Sequence, residues 1–184
     1  MHMLAANKLG ALSVLLADRV GAALGDFSPS AAALLLTLRY HGAKTGSKTG
    51  AMTVSALAPI LGVAQPTAVR VAQGLARRGL IAARGREGRT APLALTREGR
   101  RRADALARAR LAAVERLLTP LSGKKRARLE RLIDALLGEA AESRALARRI
   151  CRLCDHDICA GPLCPVGSRA SALERAEAQG TNGC

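Results

Sequence analysis

Two short apolar segments, each closed by a glycine, constrain this sequence more than any other feature. The first follows Thr53, a residue type that caps helices, and ends at Gly62. The second begins near Pro66, a residue favoured in the first helical turn, and ends at Gly79. Because so few residues separate the two segments, their helices must turn sharply against each other. The spacing predicts a helix-turn-helix over residues 53–79.

A charged hairpin is predicted directly after this motif. Residues 80–84 and 90–95 have the short apolar pattern of strands, and the glycine- and arginine-rich residues between them suit a turn. Pro92 cannot donate to a ladder, so we expect the second strand at a sheet edge. A helix-turn-helix followed by such a hairpin is a winged helix-turn-helix.

Longer amphipathic helices are predicted on both sides of this unit, over residues 4–24, 28–41, 96–118 and 122–150. The apolar stripe of the last of these helices, which includes Leu129 and Leu136, needs a partner to cover it. The expected fold is therefore mainly α with a small β-hairpin wing, and its long N- and C-terminal helices serve dimerisation. The predicted regions are a dimerisation region (1–25 and 119–150), a DNA-binding domain (26–118), a cysteine-rich motif (151–170) and a flexible tail (171–184).

The net charge of +15 over 184 residues indicates a polyanionic partner. Duplex DNA is favoured, because lysine and arginine release its condensed counterions. Single-stranded nucleic acid is disfavoured, since only Phe27 and Tyr40 could stack on bases. An anionic membrane surface is a weaker alternative, and no apolar run approaches the length of a membrane span. We expect a cytoplasmic protein in which thiols stay reduced.

The second helix of the motif carries side chains suited to base edges. Glutamine pairs bidentately with adenine and arginine with guanine, while arginines on a thin hairpin can enter the minor groove. The alternative is that these residues only form a solvated polar face. The predicted DNA-binding residues are Gln65, Pro66, Thr67, Arg70, Gln73 and Arg77 on the helix, and Arg84, Arg86 and Arg89 on the wing.

Three stretches resemble the MarR family of transcription regulators: residues 53–67 with Arg70, residues 75–81, and Leu95-Thr96-Arg97-Glu98-Gly99. The resemblance implies an obligate homodimer that reads a palindromic operator, usually as a repressor. It also implies a small-molecule effector between the helical arms and the DNA-reading lobes. Arg39, Tyr40 and His41, at the end of the second helix, are the candidate lining of that pocket.

A cluster of cysteines follows the helical region, at Cys151, Cys154, Cys159 and Cys164, with Pro165 next. Four thiols this close in a reduced compartment indicate zinc, an iron–sulfur cluster or a thiol–disulfide switch. Nearby arginines would stabilise thiolates. Inert cysteines on a loose tail are the remaining alternative, and we expect the fifth, Cys184, to be free.

Three other functions remain open at this stage. A nonspecific architectural DNA-binding protein would also carry this charge, and a metal or redox module independent of DNA is conceivable from the cysteines. An enzyme has no positive support, because the sequence contains no glycine-rich phosphate loop and no nucleophile elbow.

Overall fold

The computed structural model describes residues 3–40, 51–85 and 91–180. Most of these residues are helical, with one two-stranded antiparallel sheet, which confirms the predicted fold class. The elements are α1 (Met3–Ala23), α2 (Pro29–Tyr40), α3 (Val54–Leu61), α4 (Gln65–Arg77), β1 (Ile81–Ala83), β2 (Leu93–Leu95), α5 (Arg97–Leu118), α6 (Gly123–Glu139), α7 (Arg144–Ile150) and α8 (Pro165–Gly180). Short 3-10 turns lie at Cys151–Leu153 and Gly161–Leu163.

Helix α2 is the centre of the main core. Ser28 caps it, since its hydroxyl accepts from the backbone N–H of Ala31 at 3.2 Å. The helix is apolar around nearly its whole circumference, and Leu34, Leu35 and Leu36 are completely buried. It packs against α3, α4 and α5, so the helices that would read DNA rest on a rigid apolar support.

The helix-turn-helix forms as predicted. The Thr53 hydroxyl accepts from the N–H of Ala56 at 3.3 Å and caps α3. Gly62 ends α3 with φ +70°, a conformation that favours glycine. Helices α3 and α4 then meet at a bend of 107°, which is within the range of this motif.

The wing strands pair with Ile81 opposite Leu95 and Ala83 opposite Leu93. The edge position predicted for the second strand is wrong at Leu93, because Met52 exchanges two backbone hydrogen bonds with it, at 2.9 and 2.8 Å. Pro92 does not prevent this pairing, since it precedes the strand and its missing N–H is not needed there. The predicted turn at 85–89, apart from Gly85, lies outside the described residues, as does Thr90.

The end of the chain differs from expectation in two ways. The single helix predicted over 122–150 is divided, because Ser143 caps a new helix by accepting from the N–H of Leu146 at 3.2 Å. The flexible tail predicted over 171–184 is helical as far as Gly180, where α8 ends, and residues 181–184 lie outside the described residues. Arg144 fixes α8 to α7, since its guanidinium contacts Glu174 at 2.7 Å and Ser171 at 2.6 Å.

Two helices, α1 and α6, have no buried residue. Their apolar side chains face outward: Leu9 is 55% exposed, and Leu132 and Leu136 are 56% and 60% exposed. Within the described ranges no single helix is long and apolar enough to span a membrane, although α3 and α4 would pass by length and composition if taken together across their bend.

Candidate nucleic-acid interface and cysteine cluster

Helix α4 presents one polar face to solvent and one apolar face to the core. Ala68, Ala72 and Leu75 are buried, and this burial fixes the rotation of the helix. The predicted base-reading residues lie on the opposite side, and all of them are exposed except Thr67, which is half-buried. They are Gln65, Pro66, Thr67, Arg70, Gln73 and Arg77. The Arg70 guanidinium lies 3.4 Å from the Thr67 hydroxyl, so these two side chains act as neighbours on this face.

The arginines beyond this face have different surroundings. Arg84 is exposed at the end of β1, as a wing residue should be. Arg78, at the C-terminal end of α4, is held by Asp26 at 2.6 Å and lies 4.4 Å from the centre of the Phe27 ring. The predicted wing residues Arg86 and Arg89 lie outside the described residues.

Two of the three residues predicted to line an effector pocket, Arg39 and Tyr40, contact the cysteine-rich segment. Arg39 forms ion pairs with Asp104 of α5 and with Asp157, the latter at 3.1 Å. The Tyr40 ring lies 5.2 Å from the ring of His156. Burial, with a contribution from Asp155, raises the pKa of Tyr40. His41 lies outside the described residues. The contacts of Arg39 and Tyr40 show that the C-terminal segment covers the end of α2.

The cysteines belong to a second small core, separate from that around α2. It consists of Ala141, Ala147, Cys151, Cys164, Val166 and Ala170, with Leu137, Ile150, Cys154 and Cys159 packed against it. All four cysteines are free thiols; two are buried and two half-buried. The cysteine segment is therefore folded, and the loose tail is wrong.

Three thiol pairs are within hydrogen-bonding reach: Cys151 with Cys154, Cys151 with Cys164, and Cys159 with Cys164. The hydrogen bond with Cys154, followed by burial, raises the pKa of Cys151. The same hydrogen bond and the charge of Arg110 lower the pKa of Cys154 to about 7, although burial opposes this. Burial raises the pKa of Cys159 to about 11. Of these three thiols, Cys154 is thus the one that ionises most readily.

Arg110 is a site residue that the sequence analysis missed. It lies on α5, and its Nε is buried with no hydrogen-bond partner among the described residues. The buried positions of α5 recur at helical spacing through Ala103, Leu106 and Ala113, and Arg110 falls on the same stripe. The sequence pattern that could have identified Arg110 is this charged residue on an otherwise apolar helical stripe.

A cleft of about 580 Å³ opens beside the cysteines. Cys151, Cys159 and Cys164 line it, together with basic side chains that include Arg144, Arg148 and Arg175. As the side chains stand, no group of three or more histidine, cysteine, aspartate or glutamate residues in the described ranges is arranged to hold a metal ion.

The cysteine core also touches the helix-turn-helix. Arg149 of α7 lies over the turn between α3 and α4, where a methyl group added to Gly62 would be 2.8 Å from the Arg149 Nε. Helix α7 packs on α3, and the turn at Cys151–Leu153 packs on α2. The helix-turn-helix and the cysteine-rich segment are therefore in direct contact.

No protein-family model matches the sequence, and no curated protein matches it significantly. Solved structures do match. MepR, a transcription regulator of the Staphylococcus aureus multidrug efflux pump MepA, is 18% identical with a TM-score of 0.60 and covers 73% of this chain and 96% of its own. A MarR-family protein from Bacillus stearothermophilus is 20% identical with a TM-score of 0.62, over 74% and 93%.

A third match is a Mycobacterium tuberculosis MarR-family protein in complex with p-aminosalicylic acid. It is 22% identical with a TM-score of 0.54, and the alignment covers 71% of this chain and 96% of that one. At these identities the matches establish a common fold. The chain has the winged helix-turn-helix fold of the MarR-family transcription regulators.

Proposed function

We propose that this chain is a cytoplasmic, sequence-specific regulator of transcription that binds duplex DNA as a homodimer. The observation that carries the proposal is the exposed face of α4, where Arg70 and Gln73 lie opposite the buried Ala68, Ala72 and Leu75. A helix held in this way can enter the major groove with its arginine and glutamine facing base edges. The exposed Arg84 on the wing extends the same basic surface.

The dimer is supported by the uncovered helices α1 and α6. Leu9 and Leu12 on α1, and Leu132 and Leu136 on α6, are each more than 40% exposed in the single chain. Apolar surface of this extent on both terminal helices favours association with a second copy. Two copies related by twofold symmetry would present two α4 helices to a palindromic operator, and a bound dimer would repress by occupying it.

Control by a small effector is supported by one comparison, since the Mycobacterium tuberculosis protein was solved with p-aminosalicylic acid. In this chain, however, Arg39 and Tyr40 are engaged by Asp157 and His156 of the cysteine-rich segment. We therefore favour that segment over a ligand between α2 and α5 as the source of control.

Selection from a pool of random duplexes tests the proposal. We expect the wild-type protein to enrich one palindrome whose half-sites are about 10 base pairs apart, or a multiple of that spacing. Arg70→Ala should lose about 1–3 kcal/mol of affinity for it and relax the preference at one position of each half-site. Arg169→Ala removes the same charge from an exposed position on α8 and should keep the preference.

The second candidate, a nonspecific architectural protein, is favoured by the net charge of +15. It predicts no enriched sequence, a uniform affinity for all duplexes and equal effects of the two arginine substitutions. That outcome would refute specific regulation while leaving DNA binding intact.

A further inference from the structure

We propose that Cys151, Cys154, Cys159 and Cys164 form a binding site for a thiophilic metal centre, either a zinc ion or an iron–sulfur cluster. All four come from a stretch of fourteen residues, yet the fold gathers them on one small core. One pair joins the opposite ends of the stretch: Cys151 and Cys164 are within hydrogen-bonding reach although thirteen positions apart. Four thiolates on one centre are the ligand set that both zinc and iron–sulfur clusters take.

The surroundings of the sulfurs suit an anionic centre. The backbone N–H of Gly167 donates to the Cys164 sulfur at 3.2 Å. Gly167 permits this approach, because a Cβ at that position would lie 3.2 Å from the sulfur. Arg110, with its buried and unpartnered Nε, lies near Cys154. A donor to the sulfur and a cation beside it are the outer contacts that tune metal thiolates.

The cleft provides the entry path. It has a volume of about 580 Å³ and three of the four cysteines line it, so a metal or a preassembled cluster can reach the sulfurs from solvent. Arg148 and Arg175 on its wall compensate the negative charge of a tetrathiolate centre. The thiol side chains as they stand do not enclose an ion. Binding therefore requires the thiol side chains to rearrange around the ion, with the thiol protons released to water.

The small core that contains the cysteines, here called the cysteine module, buries little apolar volume. Apart from Cys151 and Cys164, its buried residues are three alanines and one valine, namely Ala141, Ala147, Ala170 and Val166. Small units of this kind are commonly held by a metal or by disulfides. A metal on the four thiolates would add to the stability of this module.

The test uses the full chain, purified without oxygen or chelator from cells supplied with zinc and iron. We expect about one zinc per chain, or iron with inorganic sulfide and a brown colour. The same protein, stripped of metal and kept reduced, is then titrated with Co²⁺ as a spectroscopic probe. Saturation at one Co²⁺ per chain with the intense visible absorption of a tetrahedral thiolate site supports zinc-type coordination. Failure to bind Co²⁺ together with assembly of a brown centre from ferrous iron and sulfide supports the cluster.

The variants are Cys154→Ser and Cys159→Ser, both at half-buried positions where serine should be tolerated. Each should reduce the bound metal at least tenfold, while Cys184→Ser, which changes the fifth cysteine, should not. Circular dichroism of the metal-free proteins shows whether the main fold survives the changes. A wild-type protein without metal that binds neither Co²⁺ nor a reconstituted cluster overturns the proposal. Metal content that is insensitive to both serine variants also overturns it. A protein purified with two disulfides overturns it as well and indicates a thiol switch in place of a metal centre.

Discussion

Arginines in this molecule have the same charge but different tasks, and their contacts decide which. Arg70 is exposed on α4 and suits DNA, whereas Arg78 is occupied by Asp26 and Phe27. Arg39 joins α2 to Asp157, and the half-buried Arg110 lies near Cys154 with its Nε buried. The exposed set could be predicted from the position of α4 in the motif. The roles of the other arginines depend on partners far away in sequence, and no local pattern encodes them.

Cys154 should react with alkylating agents faster than Cys159 in the metal-free, reduced protein. Its pKa is lowered to about 7 by the hydrogen bond with Cys151 and by Arg110, whereas the pKa of Cys159 is raised to about 11. A thiolate is present only above the pKa, so the rate of alkylation by iodoacetamide at Cys154 should rise through pH 7 and level off above it. Mass spectrometry of partly alkylated protein measures this rate for each cysteine.

Arg110→Gln provides the matched comparison for that measurement. Loss of the cation should move the rise in Cys154 alkylation to higher pH, because Arg110 is one of the groups that favour the thiolate. An unchanged profile in this variant, or Cys159 reacting before Cys154 in the wild type, would contradict the proposed arrangement of the thiols.

At the scale of elements, the helix starts that were predicted correctly are those encoded by residues close to them in sequence. Helices α3 and α5 begin where their capping threonines, Thr53 and Thr96, predicted them, because an N-cap is encoded within a few residues. The division between α6 and α7 and the whole of α8 escaped prediction. Helix α8 is polar and has little local signal, and it is held by Arg144 and by packing around Val166 and Ala170. Tertiary contacts of this kind override the composition of a segment.

Gly99→Ala should destabilise the junction between wing and α5. A Cβ there would lie 1.8 Å from the carbonyl oxygen of Leu80, and this backbone atom cannot move aside without breaking the wing sheet. We expect the free energy of unfolding to fall by about 3 kcal/mol, as in strongly overpacked sites. Urea denaturation of the purified variant provides the value.

Gly74→Ala is the control in the same lobe. Gly74 lies inside α4, and a Cβ there meets nothing within 4 Å. Since alanine favours a helix interior over glycine by roughly 0.5–1 kcal/mol, this change should leave stability equal or higher. Equal destabilisation by the two substitutions would refute the close approach of Gly99 to Leu80.

At the scale of the whole molecule, the cysteine-rich segment packs directly against the helix-turn-helix and the end of α2. Arg149 covers the turn at Gly62, and Asp157 and His156 hold the end of α2 through Arg39 and Tyr40. If a metal orders the module, its removal should loosen the turn that positions α4. A change in the cysteines would then alter DNA binding without touching the recognition helix.

Metal removal should therefore weaken operator binding. We expect the dissociation constant for the selected duplex to rise about tenfold, within the range typical of coupling between two sites. Fluorescence anisotropy of metal-loaded and metal-free protein, at the same salt concentration, measures the change. Arg149→Ala should make the two forms more alike, because it removes one of the contacts between module and turn. Identical affinities of the loaded and stripped wild-type protein would show that the module does not control binding.

The central claim is that this chain reads a specific DNA sequence with two α4 helices. Its most direct test is the ratio of the dissociation constants for a scrambled duplex and for the preferred palindrome, measured at physiological salt. Specific regulators bind their sites at least about 10³-fold more tightly than other DNA. We predict a ratio of that order, which falls steeply in Arg70→Ala. A ratio near one would contradict the claim and leave the net charge of +15 as the only basis of DNA binding.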